Sequence, residues 1–193
     1  MAFKALIKET TGQISIDRHH GWYRLTSNRV SYGESLDLEQ GLDEFIPTAV
    51  SDAEFGAAIR RCHDATRFVD WRKLPKGEAA RAYEKEWKKK YVLWERKALE
   101  VTGCKTVKEL YAAADVSHSS STRTKDVYAF FNSRLFNTTE FSEVSDVFPE
   151  YREFIIQQPA SDEALGQAAR AALDAVVHGA KPPPDNYPDP NEV

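Results

Sequence analysis

The sequence predicts an α/β fold, with an α+β variant as the near alternative: one layered sandwich in which helices pack on a mostly antiparallel or mixed sheet. Three observations carry the prediction. β-prone runs alternate with helical stripes along the chain. The clearest helix opens on a capping box at Ser51. A strand-loop-helix pattern occurs twice, at a fixed offset of 110 residues.

Taken in order, Ala2–Thr10 and Gln13–Asp17 flank the turn dipeptide Thr11-Gly12 and read as a hairpin. Trp22 to Thr26, rich in aromatic and β-branched side chains, supplies a further strand. Residues 27–43 read as loop, and Glu44-Phe45-Ile46 as a short strand ended by Pro47. From Ser51, S-D-A-E begins a helix whose Phe55, Ala58, Ile59 and Cys62 form one apolar stripe. A second helix covers about Glu78–Glu100, with Ala79, Tyr83, Trp87, Tyr91 and Trp94 at three- and four-residue steps and a stop near Gly103. A short one follows over Thr106–Ala113. Residues 117–125 contain no apolar side chain and read as an exposed turn, after which Val127–Phe131 returns to a β pattern. The last helix spans about Ser161–Val177 with Gly179 as its stop. The domain is therefore expected over residues 1–179. The proline-rich segment 180–193 is expected to be an extended tail.

The repeat pairs S-D-A-E-F-G-A-A-I-R-R-C-H-D-A from Ser51 with S-D-E-A-L-G-Q-A-A-R-A-A-L-D-A from Ser161. Each copy follows the same tripeptide, Glu44-Phe45-Ile46 or Glu153-Phe154-Ile155, with a linker differing by one residue. Gly56 and Gly166 share one helical position. Glycine inside a helix costs about 1 kcal/mol, so close approach of backbone, here expected from a sheet, is the physical reason to keep it.

Composition narrows the function. With 193 residues, 41% hydrophobic and 29% charged, the chain is expected to be a soluble globular protein large enough to fold without staples. Two cysteines, Cys62 and Cys104, make no disulfide framework or zinc knuckle, which points to a reducing, cytoplasmic setting. No apolar run is long enough to cross a membrane. The net charge of −4 argues against a protein whose main task is to coat nucleic acid. No G-x-S-x-G, H-E-x-x-H, P-loop or G-x-G-x-x-G is present, and His19, His20, His63, His118 and His178 have no metal or catalytic spacing. No catalytic residue, metal or cofactor is therefore expected. A hydrolase using His118 or His63 stays open as an alternative.

Two charged regions could serve a partner. Between Trp71 and Glu100 there are ten basic and five acidic side chains, interleaved with Tyr83, Trp87, Tyr91 and Trp94. An RNA-binding surface built on Lys88–Lys90 with Trp87 and Tyr91 is one reading. The other is a packed helix whose aromatics face inward while Glu84–Lys88 and Glu86–Lys90 pair on a solvated face. The second region is acidic and split: Glu34, Asp37, Glu39, Asp43 and Glu44, then Glu140, Glu143, Asp146 and Glu150 among Phe141, Val144, Val147 and Phe148. Carboxylates beside apolar groups suit a cationic protein surface.

Taken together, the opening A-F-K-A-L-I-K-E-T-T-G-Q-I-S-I with the later G-W-Y, the unit I-P-T-A-V-S-D-A-E-F-G-A-A-I-R-R-C, the lysine-rich W-K-K-K-Y with L-Y, and the closing F-I-I-Q-Q-P-A-S-D-E-A-L-G-Q-A-A-R-A-A-L resemble the immunity proteins of bacterial contact-dependent growth inhibition (CDI) systems. The resemblance covers most of residues 1–178. It implies a cytoplasmic inhibitor, not an enzyme, that binds and blocks the toxic C-terminal domain, often a nuclease, of a cognate toxin. On this view Asp37, Glu39, Asp43, Glu143 and Asp146 are the expected contacts to a basic nuclease cleft. The oligomeric state is left open.

Overall fold

A computed structural model describes residues 10–30, 34–112, 117–132 and 154–174. The expected strand Ala2–Thr10, the helix end 175–177 and the tail 180–193 lie outside them almost entirely. Eight strands are described: β1 Gly12–His19, β2 Trp22–Val30, β3 Glu34–Leu36, β4 Asp43–Pro47, β5 Arg67–Phe68, β6 Ser117–Arg123, β7 Val127–Asn132 and β8 Phe154–Gln157. Four α-helices accompany them: α1 Asp52–Asp64, α2 Glu78–Thr102, α3 Val107–Ala112 and α4 Asp162–Asp174. The sheet is antiparallel along the path β4–β2–β1–β6–β7–β8. The short β3 (antiparallel) and β5 (parallel) pair with the far end of β2.

Several expectations need correcting. Among the described residues the first hairpin turns at His20-Gly21, both with positive φ, and Gly12 opens β1, while the strand expected before Thr11-Gly12 lies outside them. β2 runs on to Val30, into what reads as loop. Residues 117–123 are not an exposed turn but a central strand, with Ser117, Ser119 and Ser121 fully buried. Ser119 donates to the Phe131 carbonyl at 2.8 Å, and the Ser121 hydroxyl lies 3.0 Å from His63 Nε2, so no buried hydroxyl on either residue is stranded.

The repeat is real, and it organises the sheet. α1 carries the expected capping box, Ser51 accepting from the Glu54 amide while Glu54 accepts from the Ser51 amide. Tyr23 of β2 stands opposite Ile46 of β4, as Tyr128 of β7 stands opposite Ile156 of β8. β4 and β8 therefore keep the offset of 110 seen in the helices, whereas Tyr23 and Tyr128, like Ser15 and Ser120, are 105 apart, and the glutamate-phenylalanine-isoleucine match is one residue out of structural register. β1 pairs with β6 in a register that relates Arg18 to Arg123 about an approximate two-fold axis between Ser15 and Ser120.

Reciprocal contacts follow from that axis. α1 and α4 cross so closely that a Cβ on Gly56 would sit 1.7 Å from the Asp162 carbonyl oxygen, and one on Gly166 2.0 Å from that of Asp52. The close approach is thus helix to helix, not helix to sheet. Arg60 reaches from α1 to Asp162 (2.8 Å), the Tyr128 hydroxyl (3.1 Å) and the Ala160 carbonyl (2.8 Å). Arg170 reaches from α4 to Asp52 (2.6 Å), the Tyr23 hydroxyl (2.7 Å) and the Val50 carbonyl (2.5 Å). At the other helix ends Arg123 pairs with Asp64 and Arg18 with Asp174. Each half closes on the other, over a core of Ile14, Ile16, Tyr23, Leu25, Phe55, Ile59, Phe130, Leu165 and Leu173.

Candidate functional site

The opposite face of the sheet is polar over β1 and β2, apolar at Val127, Ala129 and Phe131 of β7, and carries α2, which has no counterpart in the second copy among the described residues. Strand alternation puts Arg24 on this face, while its neighbours Tyr23 and Leu25 point to α1 and α4. Arg24 is 1% exposed, and its Nε and Nη2 are both engaged. It donates to both oxygens of Asp43 at 2.7 and 3.0 Å and to the Trp94 carbonyl at 2.9 Å. The Trp94 ring lies over it at 3.5 Å and Phe45 at 4.7 Å. Lys97 closes the group, reaching Asp43 Oδ2 at 2.8 Å and the Asp43 carbonyl at 2.9 Å. Burial would raise the Asp43 carboxyl. The Arg24 and Lys97 bonds and charges outweigh this and hold it below its usual range.

Asp37 is likewise turned inward. It is 4% exposed, accepts from the amides of Glu39 (3.3 Å) and Gln40 (3.2 Å), and holds Arg67 through both oxygens. Burial again favours the protonated form and is outweighed, here by Arg67 and the two amides, so its pKa is lowered. Among the described members of the expected acidic set, Glu39 is the one that stands at the surface, 3.0 Å from Lys90 and 3.7 Å from Arg67. Glu143 and Asp146 lie outside the described residues. The repeat nevertheless relates the two acidic stretches: residues 31–42 connect β2 to β4, and residues 133–153 connect the equivalent β7 to β8. Because β2 and β7 run in opposite directions, the two connections leave opposite ends of the sheet.

α2 itself runs for 25 residues and ends on Gly103 in the left-handed conformation. Its inner side holds a ladder of rings, Trp87 on Tyr91 at 5.2 Å and Tyr91 on Trp94 at 5.4 Å, with Tyr83 beside Arg29. The aromatics thus face the sheet. Lys88 pairs with Glu84 as the spacing predicts, whereas Glu86 takes Lys89 and leaves Lys90 to Glu39. The outer side shows Val92 at 53% and Leu93 at 59% exposure, a feature the sequence reading did not single out. Its signal was present: two branched apolar residues on the flank away from the Trp87–Trp94 stripe.

The histidines have structural surroundings. His118 Nδ1 lies 2.6 Å from Asp17 Oδ1, tying β6 to β1. Burial would raise the Asp17 carboxyl, but the charge and hydrogen bond of His118 lower it overall. His63 is buried. Its ring meets Tyr128 edge-on at 5.3 Å. Among the described residues no group of three or more His, Cys, Asp and Glu side chains is placed to hold a metal ion. None of the described helices is long and apolar enough to cross a membrane.

Against this geometry the comparisons with known proteins are consistent. The family profile described as CDI immunity protein matches residues 4–175. The chain belongs to the CDI immunity protein family. A solved protein of unknown function from Neisseria meningitidis, NMB0488, shares the fold with a TM-score of 0.65 at 13% identity, covering 86% of this chain and 94% of that one. A chain of a CdiA-CT/CdiI toxin and immunity complex from Yersinia pseudotuberculosis does so with a TM-score of 0.61 at 12% identity, covering 85% and 96%. No curated protein matches the sequence.

Proposed function

We propose that this protein is a stoichiometric inhibitor, working in the cytoplasm, that binds the C-terminal domain of a cognate CDI toxin and occupies its nucleolytic cleft. The observation that carries the reading is the family match over nearly the whole described fold. It is supported by a relative in fold that is itself one chain of a toxin and immunity complex. The buried titratable groups add support. Asp37 and Asp43 are each held by a cation, Arg67 or Arg24, and Asp17 by the His118 ring, an arrangement that rigidifies a surface.

The acidic contact set enters this proposal in two roles. Glu39 offers a carboxylate to a basic cleft, speeding encounter and setting orientation, while Glu143 and Asp146, in the connection that leaves the opposite end of the sheet, serve a separate contact. Asp37 and Asp43 hold the turn and the helix beside Glu39, so charge reversal there alters the fold as well as the contact. RNA binding through the α2 aromatics is the weaker reading, since rings stacked along the inner side give bases no open platform. The test is co-expression of the full chain with the C-terminal domain of the toxin encoded beside it. A one-to-one complex that copurifies and is weakened by Glu39→Lys is the expected result. Failure of the two proteins to associate overturns the reading.

A further inference from the structure

The outward ridge of α2 is a surface that neither the fold nor the acidic contacts use. Residues three and four apart share a helix face, so Lys85, Lys89, Val92, Leu93, Arg96 and Glu100 follow one another along it. All six are exposed. The ridge thus has an apolar centre, Val92 and Leu93, with Arg96 one turn away on one side, Lys89 on the other in an ion pair with Glu86, and Glu100 at its end. Its inner side is fastened to the sheet through the Trp94 carbonyl and Lys97, so the ridge is presented on a rigid support.

We infer that this ridge is a second docking surface, and that its partner is an acidic protein surface with an apolar patch, carried by the same toxin domain. The inference rests on the toxin-binding reading. Charge complementarity selects the occupant. A second copy of the chain packed two-fold about Val92 and Leu93 sets Lys89 against Arg96 across the axis, which repels. A nucleic acid gains nothing from Val92 and Leu93, and two apolar side chains give a lipid surface little to hold. Carboxylates ringing an apolar patch answer both features of the ridge at once, the apolar pair supplying buried area and the cations orientation.

Titration calorimetry of the full chain against the toxin's C-terminal domain tests this, using Val92→Ser/Leu93→Ser and Lys85→Glu/Lys89→Glu/Arg96→Glu. These positions are exposed, so thermal melts report that both variants stay folded. Each variant is expected to bind at least about tenfold more weakly, as central interface positions do, and the charge-reversed one to lose part of the salt dependence of the unmodified chain. If the unmodified chain binds and both variants match it within about twofold, the ridge inference fails while the toxin reading stands. If the unmodified chain does not bind, both fall. Loss in the variants of binding to a short RNA oligonucleotide or to anionic phosphatidylglycerol vesicles, or of a dimer seen in sedimentation, with toxin affinity unchanged, assigns the ridge elsewhere and overturns the inference.

Discussion

The two halves of the repeat and the helix inserted between them use charge in opposite ways. In the repeat, Arg60 and Arg170 reach across the axis to Asp162 and Asp52, and Arg123 and Arg18 to Asp64 and Asp174. The charges close the fold on itself. In α2, the inner cation Lys97 and the strand cation Arg24 meet at Asp43, while Lys85, Lys89 and Arg96 face solvent. Two copies of one unit, locked by mutual contacts, leave their helix faces little freedom to change. An inserted helix anchored along its inner side, at Asp43, Glu39 and Arg24, leaves its outer face free to vary. The proposed contacts accordingly fall on the inserted helix and on the β2–β4 and β7–β8 connections.

The largest expected effect falls on the anchor of α2. Asp43→Ala leaves the Arg24 guanidinium buried without its counter-charge, which costs about 3–5 kcal/mol. Urea unfolding measures it, and a loss below about 1 kcal/mol would mean that α2 does not depend on this contact. Next come the crossing glycines. Gly56→Ala and Gly166→Ala each drive a methyl into the opposite helix backbone, and each is expected to lose about 3 kcal/mol. Near-equal losses bear out the two-fold relation. A clearly unequal pair breaks it.

A smaller, pH-dependent effect separates the halves, because His63 occupies the position that Leu173 holds in the second copy. Burial depresses the His63 pKa to about 3, whereas an unfolded histidine titrates near about 6.5. Below about 6.5 the unfolded chain takes up a proton that the folded one refuses. Stability is then full above that pH and falls as the pH drops toward about 3, by up to about 1.4 kcal/mol per unit. Chemical denaturation at pH 7 and pH 5 reads the slope, and His63→Leu, which copies the second half, is expected to remove that share of it.

Much of the architecture was legible because helix spacing and repeated residues survive as sequence. The matched Asp52/Asp162, Gly56/Gly166, Arg60/Arg170 and Asp64/Asp174 are the residues that make the reciprocal contacts. β6 was not legible. Serine is one of the common turn residues, and only the proximity of the crossing helices, together with the Phe131 carbonyl and His63, turns Ser119 and Ser121 into core residues. The acidic set was legible as composition but not as geometry. Asp37 and Asp43 meet their cations, Arg67, Arg24 and Lys97, only through the fold, and nothing local marks them as inward-facing.

The central claim is that this chain inactivates a toxin domain by covering it. Titrating the purified chain into a fixed amount of the cognate toxin's C-terminal domain, and following cleavage of RNA and DNA, tests it directly. The account predicts that cleavage falls linearly and ends at one equivalent of the chain. Cleavage that persists at a large excess, or that stops at a small fraction of an equivalent, contradicts it.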